Sequence, residues 1–380
     1  MIKRLIVSKN QKSQVMNSAI SHRSIINELS RIDNLLIIQD IDGVCLPLVH
    51  DPLTRTIDKS YVMTVSKLKE EFMVLTCGEH EGERGVNRII ERAFSSKEEV
   101  KRKGLYLPGL AACGIEFQDR YGNISCSGLT SKEKEFLSII PEKMKSLLIK
   151  QLTILLPNYS NENISKLAFK AICDTRYSPT INLNNLFKIA GNNILLKRSL
   201  QKMLEEIMND LIEYSNACGL ENSFYLHKSP NLGKVNGTEM IKYAEQNDVG
   251  TTDIQMIING SLKECGLIVL INKYIGGKTG KYPLGQNFNI KEAPTEIDDL
   301  ILLCREKIKV KDMPTIVGIG DTITSSRDSS NTHWMRGGSD RGFLTLIQAL
   351  GLKFSKNNKV IFVDSSDGEV DRPSTKQSGL

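Results

Sequence analysis

Residues 35–43, LLIIQDIDG, decide the fold class of this 380-residue chain. The first four residues form an unbroken apolar run, which is typical of a buried strand in a parallel sheet. Two aspartates follow the strand, and Gly43 then permits a sharp turn of the backbone. Because ligands bind at the carboxyl ends of the strands in open α/β sheets, we place Asp40 and Asp42 at a ligand-binding edge.

The segments on both sides of this stretch alternate between strand and helix patterns. The predicted helices lie at 61–70, 85–94, 297–308 and 343–350, and the predicted strands at 72–76, 314–321 and 359–364. This order predicts an α/β protein with a doubly wound parallel sheet.

The pattern changes after about residue 128. Residues 132–156 and 195–218 are rich in Lys, Glu and Leu and predict long helices, with Gly219 as a stop for the second. Residues 223–227 and 266–271 follow as alternating, strand-like stretches. We therefore expect the middle of the chain to form a separate α+β unit.

Composition and charge limit the class of protein and its partners. The chain is 40% hydrophobic and 25% charged, with a net charge of +6, as in ordinary globular proteins. No dense Lys/Arg run carries interleaved aromatic residues, so we expect no nucleic-acid partner. No stretch approaches the roughly 18–20 apolar residues that cross a bilayer, so we expect no membrane partner.

The eight cysteines are scattered singly, without a CxxC pair or a zinc-like Cys/His spacing. We therefore predict reduced, mostly buried thiols in a cytoplasmic protein. We also expect a monomer, since no association surface stands out.

The aspartates at 40 and 42 suit phosphoryl transfer. One carboxylate can attack phosphorus beside a divalent cation, and the other can protonate the leaving oxygen and later deprotonate water. A solvated turn is the alternative explanation for the same two residues, because Asp and Gly are common in turns.

Further candidates for this chemistry lie at or near the ends of other predicted elements. Thr76 ends the second strand, where a hydroxyl can bind a phosphate oxygen, and Asp321 ends a later strand, where an acid can complete a magnesium site. Lys291 precedes the helix that leads into the Asp321 strand, and it is our candidate for contacting the phosphoryl group. Lys278 and Lys281 are rival candidates for that role.

The order of Asp40 and Asp42, Thr76, a lysine and Asp321 resembles the four motifs of the haloacid dehalogenase superfamily. The resemblance implies a Mg²⁺-dependent phosphatase with Asp40 as nucleophile and Asp42 as general acid and base. It implies that Thr76 and a lysine, here Lys291, bind phosphate. It also implies Mg²⁺ ligation by Asp40, Asp321 and the backbone carbonyl of Asp42.

One feature of the chain departs from the pattern of this superfamily. Many superfamily members carry another acid three or four residues after the last motif, whereas here Asp328 is the next candidate for the metal shell. The resemblance also implies a haloacid-dehalogenase-like core with an inserted α+β cap. We accordingly predict core segments at 1–127 and 286–380 and a cap at 128–285.

A closer resemblance is carried by residues 37–45, 51–55, 334–342 and 363–366, which look like the cyanobacterial glucosylglycerol-phosphate phosphatase family. It implies a small sugar phosphate as substrate, glucosylglycerol 3-phosphate, which is hydrolysed in compatible-solute synthesis under salt stress. A trehalose- or sucrose-phosphate phosphatase and a phosphomutase are alternative enzymes. A ligand-sensing module is the non-enzymatic alternative, and Asp42 argues against it because a receiver-like domain needs no acid/base group there.

Overall fold

The computed structural model describes residues 22–173, 175–327 and 333–373. Its strands are β1 (Leu35–Gln39), β2 (Phe72–Leu75), β3 (Gly109–Ala111), β4 (Glu116–Gln118), β5 (Ile124–Cys126), β6 (Thr180–Asn182), β7 (Phe224–Ser229), β8 (Asn231–Val235), β9 (Thr238–Ile241), β10 (Asp253–Ile258), β11 (Thr315–Gly320), β12 (Thr324–Arg327), β13 (Trp334–Gly337) and β14 (Lys359–Phe362). Its α-helices are α1 (His22–Leu29), α2 (Lys59–Val65), α3 (Val86–Phe94), α4 (Lys97–Lys103), α5 (Ser131–Leu155), α6 (Asn161–Ala171), α7 (Asn184–Ala190), α8 (Ile194–Ala217), α9 (Lys263–Thr279), α10 (Ile297–Lys307) and α11 (Arg341–Phe354).

A seven-stranded sheet in the order β14-β11-β1-β2-β3-β4-β5 forms the core. The first five of these strands are parallel, whereas β4 and β5 run antiparallel at one edge. Side chains alternate across β2: Met73 and Leu75 pack in the cluster that includes α9 and α11, and Phe72 and Val74 pack with α2 and α3. Helices therefore cover both faces, which confirms the predicted doubly wound α/β class.

The predicted elements of this core are also found. The strands expected at 72–76, 314–321 and 359–364 are β2, β11 and β14, and the helices expected at 85–94, 297–308 and 343–350 are α3, α10 and α11. The helix expected at 61–70 is shorter, because α2 ends at Val65 and the chain continues as a 3₁₀ helix, Ser66–Glu71.

A second unit follows β5 and contains the antiparallel sheet β6-β10-β7. Successive residues of a strand point to opposite faces of the sheet. Ile254 and Met256 of β10 therefore lie on one face, and Asp253 and Gln255 lie on the other. The apolar face of the sheet packs on α5 and α8, and its polar face lines a cavity opposite the core. We refer to this unit as the cap.

The sequence prediction places the second cap boundary at residue 285, whereas the contacts of the preceding helix favour an earlier boundary. Residues 266–271, expected as a strand, belong to the helix α9, which packs against β2 and β3 of the core. This helix is apolar on nearly all sides because it is buried, so its sequence lacks helical periodicity. We propose that the cap spans the chain from about residue 128 to just before Lys263.

In the described segments, no helix has the length and apolar character needed to cross a membrane. The expectation of reduced cysteines is wrong at one pair, because Cys77 and Cys113 form a disulfide. These two residues follow neighbouring strands of the core sheet, β2 and β3, and only the folding of the chain brings them together.

Candidate active site

Three of the predicted site residues lie at the carboxyl ends of adjacent parallel strands. Asp40 follows β1, Thr76 follows β2 and Asp321 follows β11. The backbone N–H of Asp40 still donates to Ile319 O at 2.9 Å, so the sheet itself fixes this position. The structure thus brings the predicted Asp40, Thr76 and Asp321 to one edge, where they line a single cavity.

A buried cluster of charged groups occupies the floor of this cavity. Carboxylate oxygens of Asp40, Asp321 and Asp340 lie within 4.8 Å of one another, and all three residues are buried. The ammonium Nζ of Lys263 lies 2.8 Å from Asp40 Oδ2 and 2.6 Å from Asp340 Oδ1. Lys263, the first residue of α9, therefore bridges two of the three acids.

The crowding of negative charge shifts the pKa values of these groups. Burial raises the pKa of Asp40 well above its usual range, and the charge of Asp340 raises it further, although Lys263 acts in the opposite direction. Burial, again with Asp340, raises the pKa of Asp321 to about 7. Burial alone would lower the pKa of Lys263, but Asp340 and Asp40 outweigh it and raise it. The cluster carries excess negative charge and favours a cation.

Asp340 is a member of this buried acidic cluster that the sequence did not predict as a site residue. One of its carboxylate oxygens accepts hydrogen bonds from the backbone N–H groups of Asp321 and Thr322, both at 2.9 Å. The paired strands β12 and β13 lie between Asp321 and Asp340 along the chain, and β13 leads the chain back to this point. Asp340 thereby holds both Lys263 and the Asp321 loop in place. Asp328, the earlier candidate, lies outside the described residues.

Asp42 lies at the more exposed side of the cavity, where it forms an ion pair with Arg55. The guanidinium of Arg55 also donates to Arg84 O at 3.1 Å, which fixes the orientation of the pair. Gly78 leaves space beside it, since a Cβ atom there would lie 3.7 Å from both Asp42 Oδ2 and Thr76 Oγ1. Asp42 and Thr76 therefore flank a small gap next to Asp40.

The structure does not bring Lys291 to this site, contrary to the sequence prediction. Its Nζ lies 2.8 Å from both carboxylate oxygens of Glu133, at the N-terminus of α5. The rival candidate Lys278 donates to Asp33 O at 3.2 Å, and Lys281 is exposed. The lysine beside Asp40 is Lys263. Because the apolar run 266–271 predicts a strand, the sequence pattern does not indicate that a helix begins at Lys263.

A cavity of about 240 Å³ separates this cluster from the polar face of the cap sheet. The cap residues that line it include Thr180, Asn182, Asn184, Thr252, Asp253 and Gln255. Asn184 Oδ1 and Gln255 Oε1 are buried and have no hydrogen-bond partner among the described residues. Since an unpaired buried acceptor costs about 1–3 kcal/mol, both positions favour a ligand that donates hydrogen bonds.

Glu79 links the core to the cap at the rim of the cavity. Its carboxylate accepts hydrogen bonds from the backbone N–H groups of Arg176, Tyr177 and Ser178 at 2.7, 2.7 and 2.9 Å. Arg176 also pairs with Glu81, which lies close to Glu79 in the core. These contacts hold the cap over the acidic cluster and close one side of the cavity.

Comparison with known proteins gives the following matches. A model of the glucosylglycerol-phosphate phosphatase family matches residues 34–379. The glucosylglycerol-phosphate phosphatase of Synechocystis sp. is 42% identical over 353 residues, which cover 93% of this chain and 84% of the relative. Among solved structures, the C-terminal domain of C. albicans trehalose-6-phosphate phosphatase matches with a TM-score of 0.41 and 11% identity, over 92% of this chain and 85% of that domain.

Proposed function

The chain belongs to the glucosylglycerol-phosphate phosphatase family, and on this basis we propose that it hydrolyses glucosylglycerol 3-phosphate to glucosylglycerol and inorganic phosphate. The reaction would complete the synthesis of a compatible solute in salt-stressed cells. The observation that carries the proposal is the pairing of Asp40 with Lys263 on the floor of a polar cavity, with Asp42 across the gap.

In the proposed reaction, a carboxylate oxygen of Asp40 attacks phosphorus and forms an aspartyl-phosphate. The Ile41 N–H, which donates to Asp40 Oδ1 at 2.8 Å, holds the carboxylate in a fixed orientation. Lys263 and the Thr76 hydroxyl bind the phosphoryl oxygens as charge builds up on them.

Asp42 moves the protons. It donates a proton to the departing glycerol oxygen and then takes one from the water that attacks the aspartyl-phosphate, which releases phosphate and restores Asp40. Arg55 is a positioning residue, because its ion pair orients Asp42 towards the gap next to Thr76.

Asp40 and Asp321 fit a hard divalent cation. Both offer carboxylate oxygens, the ligands that Mg²⁺ prefers, and burial together with the nearby charge of Asp340 raises the pKa of each. We propose Mg²⁺ bound by these two acids and by the backbone carbonyl of Asp42. When bound, the ion neutralises charge on the phosphate oxygens. Asp340 is less available as a ligand, because Lys263 and two backbone N–H groups already occupy its carboxylate.

The polar face of the cap suits the glucosyl and glycerol hydroxyls. Each hydroxyl can donate to Asn184 Oδ1 or Gln255 Oε1, which would satisfy an acceptor that is otherwise buried without a partner. Asp253 adds a carboxylate that is already oriented by Asn182 Nδ2 at 2.5 Å and Thr252 Oγ1 at 2.7 Å. A polyhydroxylated leaving group therefore gains contacts that a simple alkyl phosphate lacks.

The first test measures inorganic phosphate released by purified full-length protein, with Mg²⁺ and with chelator. The substrates are glucosylglycerol 3-phosphate, trehalose 6-phosphate and sucrose 6-phosphate. We expect Mg²⁺-dependent release mainly from the first, and its loss in Asp40→Asn. Asp210→Asn is the matched control, because Asp210 lies exposed on α8 of the cap and should leave release unchanged.

Other outcomes would point to different functions. Release mainly from trehalose or sucrose phosphate would keep the chemistry and overturn the substrate. Isomerised sugar phosphate without free phosphate, separated by chromatography and identified by ³¹P NMR, would indicate a phosphomutase. If folded protein neither releases nor moves phosphate, the phosphatase proposal fails and a ligand-sensing role replaces it.

A second test addresses the sugar contacts. Asn184→Ala and Gln255→Ala each remove an acceptor, so we expect KM for glucosylglycerol 3-phosphate to rise about tenfold, as for a loss of about 1.4 kcal/mol. Hydrolysis of p-nitrophenyl phosphate, which has no sugar, should change far less. An equal loss on both substrates would show that these residues do not bind the sugar.

A further inference from the structure

A second group of reactive side chains lies beside the phosphate-binding loop and has no role in the proposed reaction. The sulfur atoms of Cys77 and Cys113 and a ring nitrogen of His227 lie within 4.8 Å of one another. Cys77 directly follows Thr76, and Cys113 follows β3, so both belong to the core. His227 belongs to β7 of the cap. The cluster therefore spans the boundary between core and cap.

The surroundings of His227 resemble those of a metal-binding histidine, because a carboxylate contacts one of its ring nitrogens. It is 5% exposed, and its Nδ1 lies 3.1 Å from a carboxylate oxygen of Glu239. Because a carboxylate accepts, Nδ1 donates and the lone pair resides on Nε2. The other Glu239 oxygen accepts from Lys228 N–H at 2.7 Å, which fixes the carboxylate in turn. A carboxylate on the second ring nitrogen is the common support for a metal-ligating histidine.

The Nε2 atom of His227 is buried and has no hydrogen-bond partner within the described parts of the chain. The same holds for Ser261 Oγ. Both residues line a cavity of about 440 Å³, together with Cys77 and Cys113. Lys263 lines both this cavity and the acidic cavity described above, so the two cavities are neighbours. It gives an ion or a water molecule access to the cluster.

We propose that Cys77, Cys113 and His227 form a redox-dependent site for Zn²⁺ or a similar soft divalent cation. In the disulfide form the sulfur atoms are bonded to each other and the site is closed. A dithiol or phosphine reductant supplies two electrons, the S–S bond breaks, and two protons complete the thiols. Each thiol releases its proton when its sulfur binds the ion, and water from the cavity takes the fourth position.

The choice of ion follows from the donor atoms. Two thiolates and an imidazole favour Zn²⁺ over Mg²⁺, which prefers oxygen ligands. Tetrahedral Zn²⁺ places such donors about 3.5–3.8 Å apart, by its bond lengths to sulfur and nitrogen. The observed spacing, within 4.8 Å, requires only small side-chain movements once the disulfide opens. The bound ion would join His227 of the cap to the two core cysteines.

The test uses Co²⁺ as a spectroscopic probe for Zn²⁺. Full-length protein is reduced with a phosphine, freed of excess reductant and titrated with Co²⁺. We expect one equivalent to produce the intense near-ultraviolet band of a thiolate–cobalt bond, and Zn²⁺ but not Mg²⁺ to abolish it. Protein oxidised beforehand to the Cys77–Cys113 disulfide should give no band.

Variants locate the ligands. Cys113→Ser and His227→Gln should each weaken Co²⁺ binding at least tenfold, and Glu239→Gln about tenfold through the histidine. Cys218→Ser, at the end of α8 in the cap, is the matched control and should bind as the parent does. Cys113→Ser changes the core side of the boundary and His227→Gln changes the cap side. A result from either variant is sufficient to test the site, provided that its circular dichroism matches that of the parent and shows that it is folded.

The absence of a band in the reduced parent would overturn the site. So would a parental band in a folded Cys113→Ser or His227→Gln variant, or equal loss in Cys218→Ser. Co²⁺ binding is measured without substrate, so this result is independent of whether the protein hydrolyses any sugar phosphate.

Discussion

Replacing Lys263 by Met tests which lysine serves the proposed phosphatase site. The Lys263 ammonium contacts Asp40 at 2.8 Å and Asp340 at 2.6 Å, and its side chain is only 2% exposed. Removing one preorganised donor to a developing phosphoryl charge costs about 3–4 kcal/mol, or a factor of 10²–10³ in kcat. We therefore expect Lys263→Met to lose at least a hundredfold in kcat with glucosylglycerol 3-phosphate.

The same change should destabilise the fold. Breaking a buried ion pair by removing one partner costs about 3–5 kcal/mol, because the other partner is left as an uncompensated charge. Here the stranded carboxylates can take up protons instead, so we expect a loss of about 2–3 kcal/mol at pH 8 and less at pH 6. Denaturant unfolding of parent and variant at the two pH values measures this difference.

Lys291→Met is the matched control, because Lys291 pairs with Glu133 at 2.8 Å and is partly exposed. A pair of this kind contributes about 0–1 kcal/mol to stability, and we expect kcat to stay within twofold of the parent. The assignment of Lys263 is refuted if Lys263→Met, folded at the assay temperature, keeps a tenth or more of the activity. A hundredfold loss in Lys291→Met would instead restore the lysine predicted from sequence.

Three further outcomes can be measured with single variants. Gly43→Ala should reduce kcat more than a hundredfold and lower Tm, because Gly43 has φ +75° and a Cβ there would meet Asp321 Oδ2 at 1.9 Å. Glu79→Gln keeps the shape of the side chain but weakens its hydrogen bonds to the cap backbone, so proteolysis should cut the 175–178 segment faster than in the parent. Burial raises the pKa of Glu116 from 4.5 to about 7, so the folded protein keeps a proton that the unfolded chain has lost. The stability that this group contributes is thus complete below about pH 4.5 and is lost as pH rises to 7. The free energy of unfolding of Glu116→Gln, measured with denaturant, should therefore exceed that of the parent by about 2–3 kcal/mol at pH 8 but by little at pH 4.5.

The part of the site that sequence could predict is the part that local pattern determines. Asp40, Thr76 and Asp321 each end a short apolar run, and parallel strands present such ends at one edge of the sheet. The fold class follows from the same alternation of strand and helix. Asp42 was predictable as well, because it lies two residues beyond a strand end.

Lys263 and Asp340 depend on tertiary structure and could not be located in this way. Lys263 begins α9, whose buried surroundings remove the apolar periodicity that marks a helix. Asp340 reaches the site only because β12 and β13 fold back on each other, and nothing in the chain near Asp321 signals that return. The Cys77–Cys113 pairing has the same origin, since each cysteine ends a different strand segment.

The charges of the site explain why one lysine suffices there. Asp40, Asp321 and Asp340 together carry three negative charges when ionised, and Lys263 supplies one positive charge. Burial, together with the charge of Asp340 beside it, raises the pKa of Asp321 to about 7, so its ionised form is disfavoured until a further cation binds. A divalent ion bound to the cluster would restore neutrality. A second lysine beside the acids would neutralise part of the same charge and would therefore weaken the binding of a divalent ion. With Lys291 paired to Glu133, away from the acids, Lys263 is the lysine that compensates the cluster, and the proposed Mg²⁺ would supply the remaining positive charge.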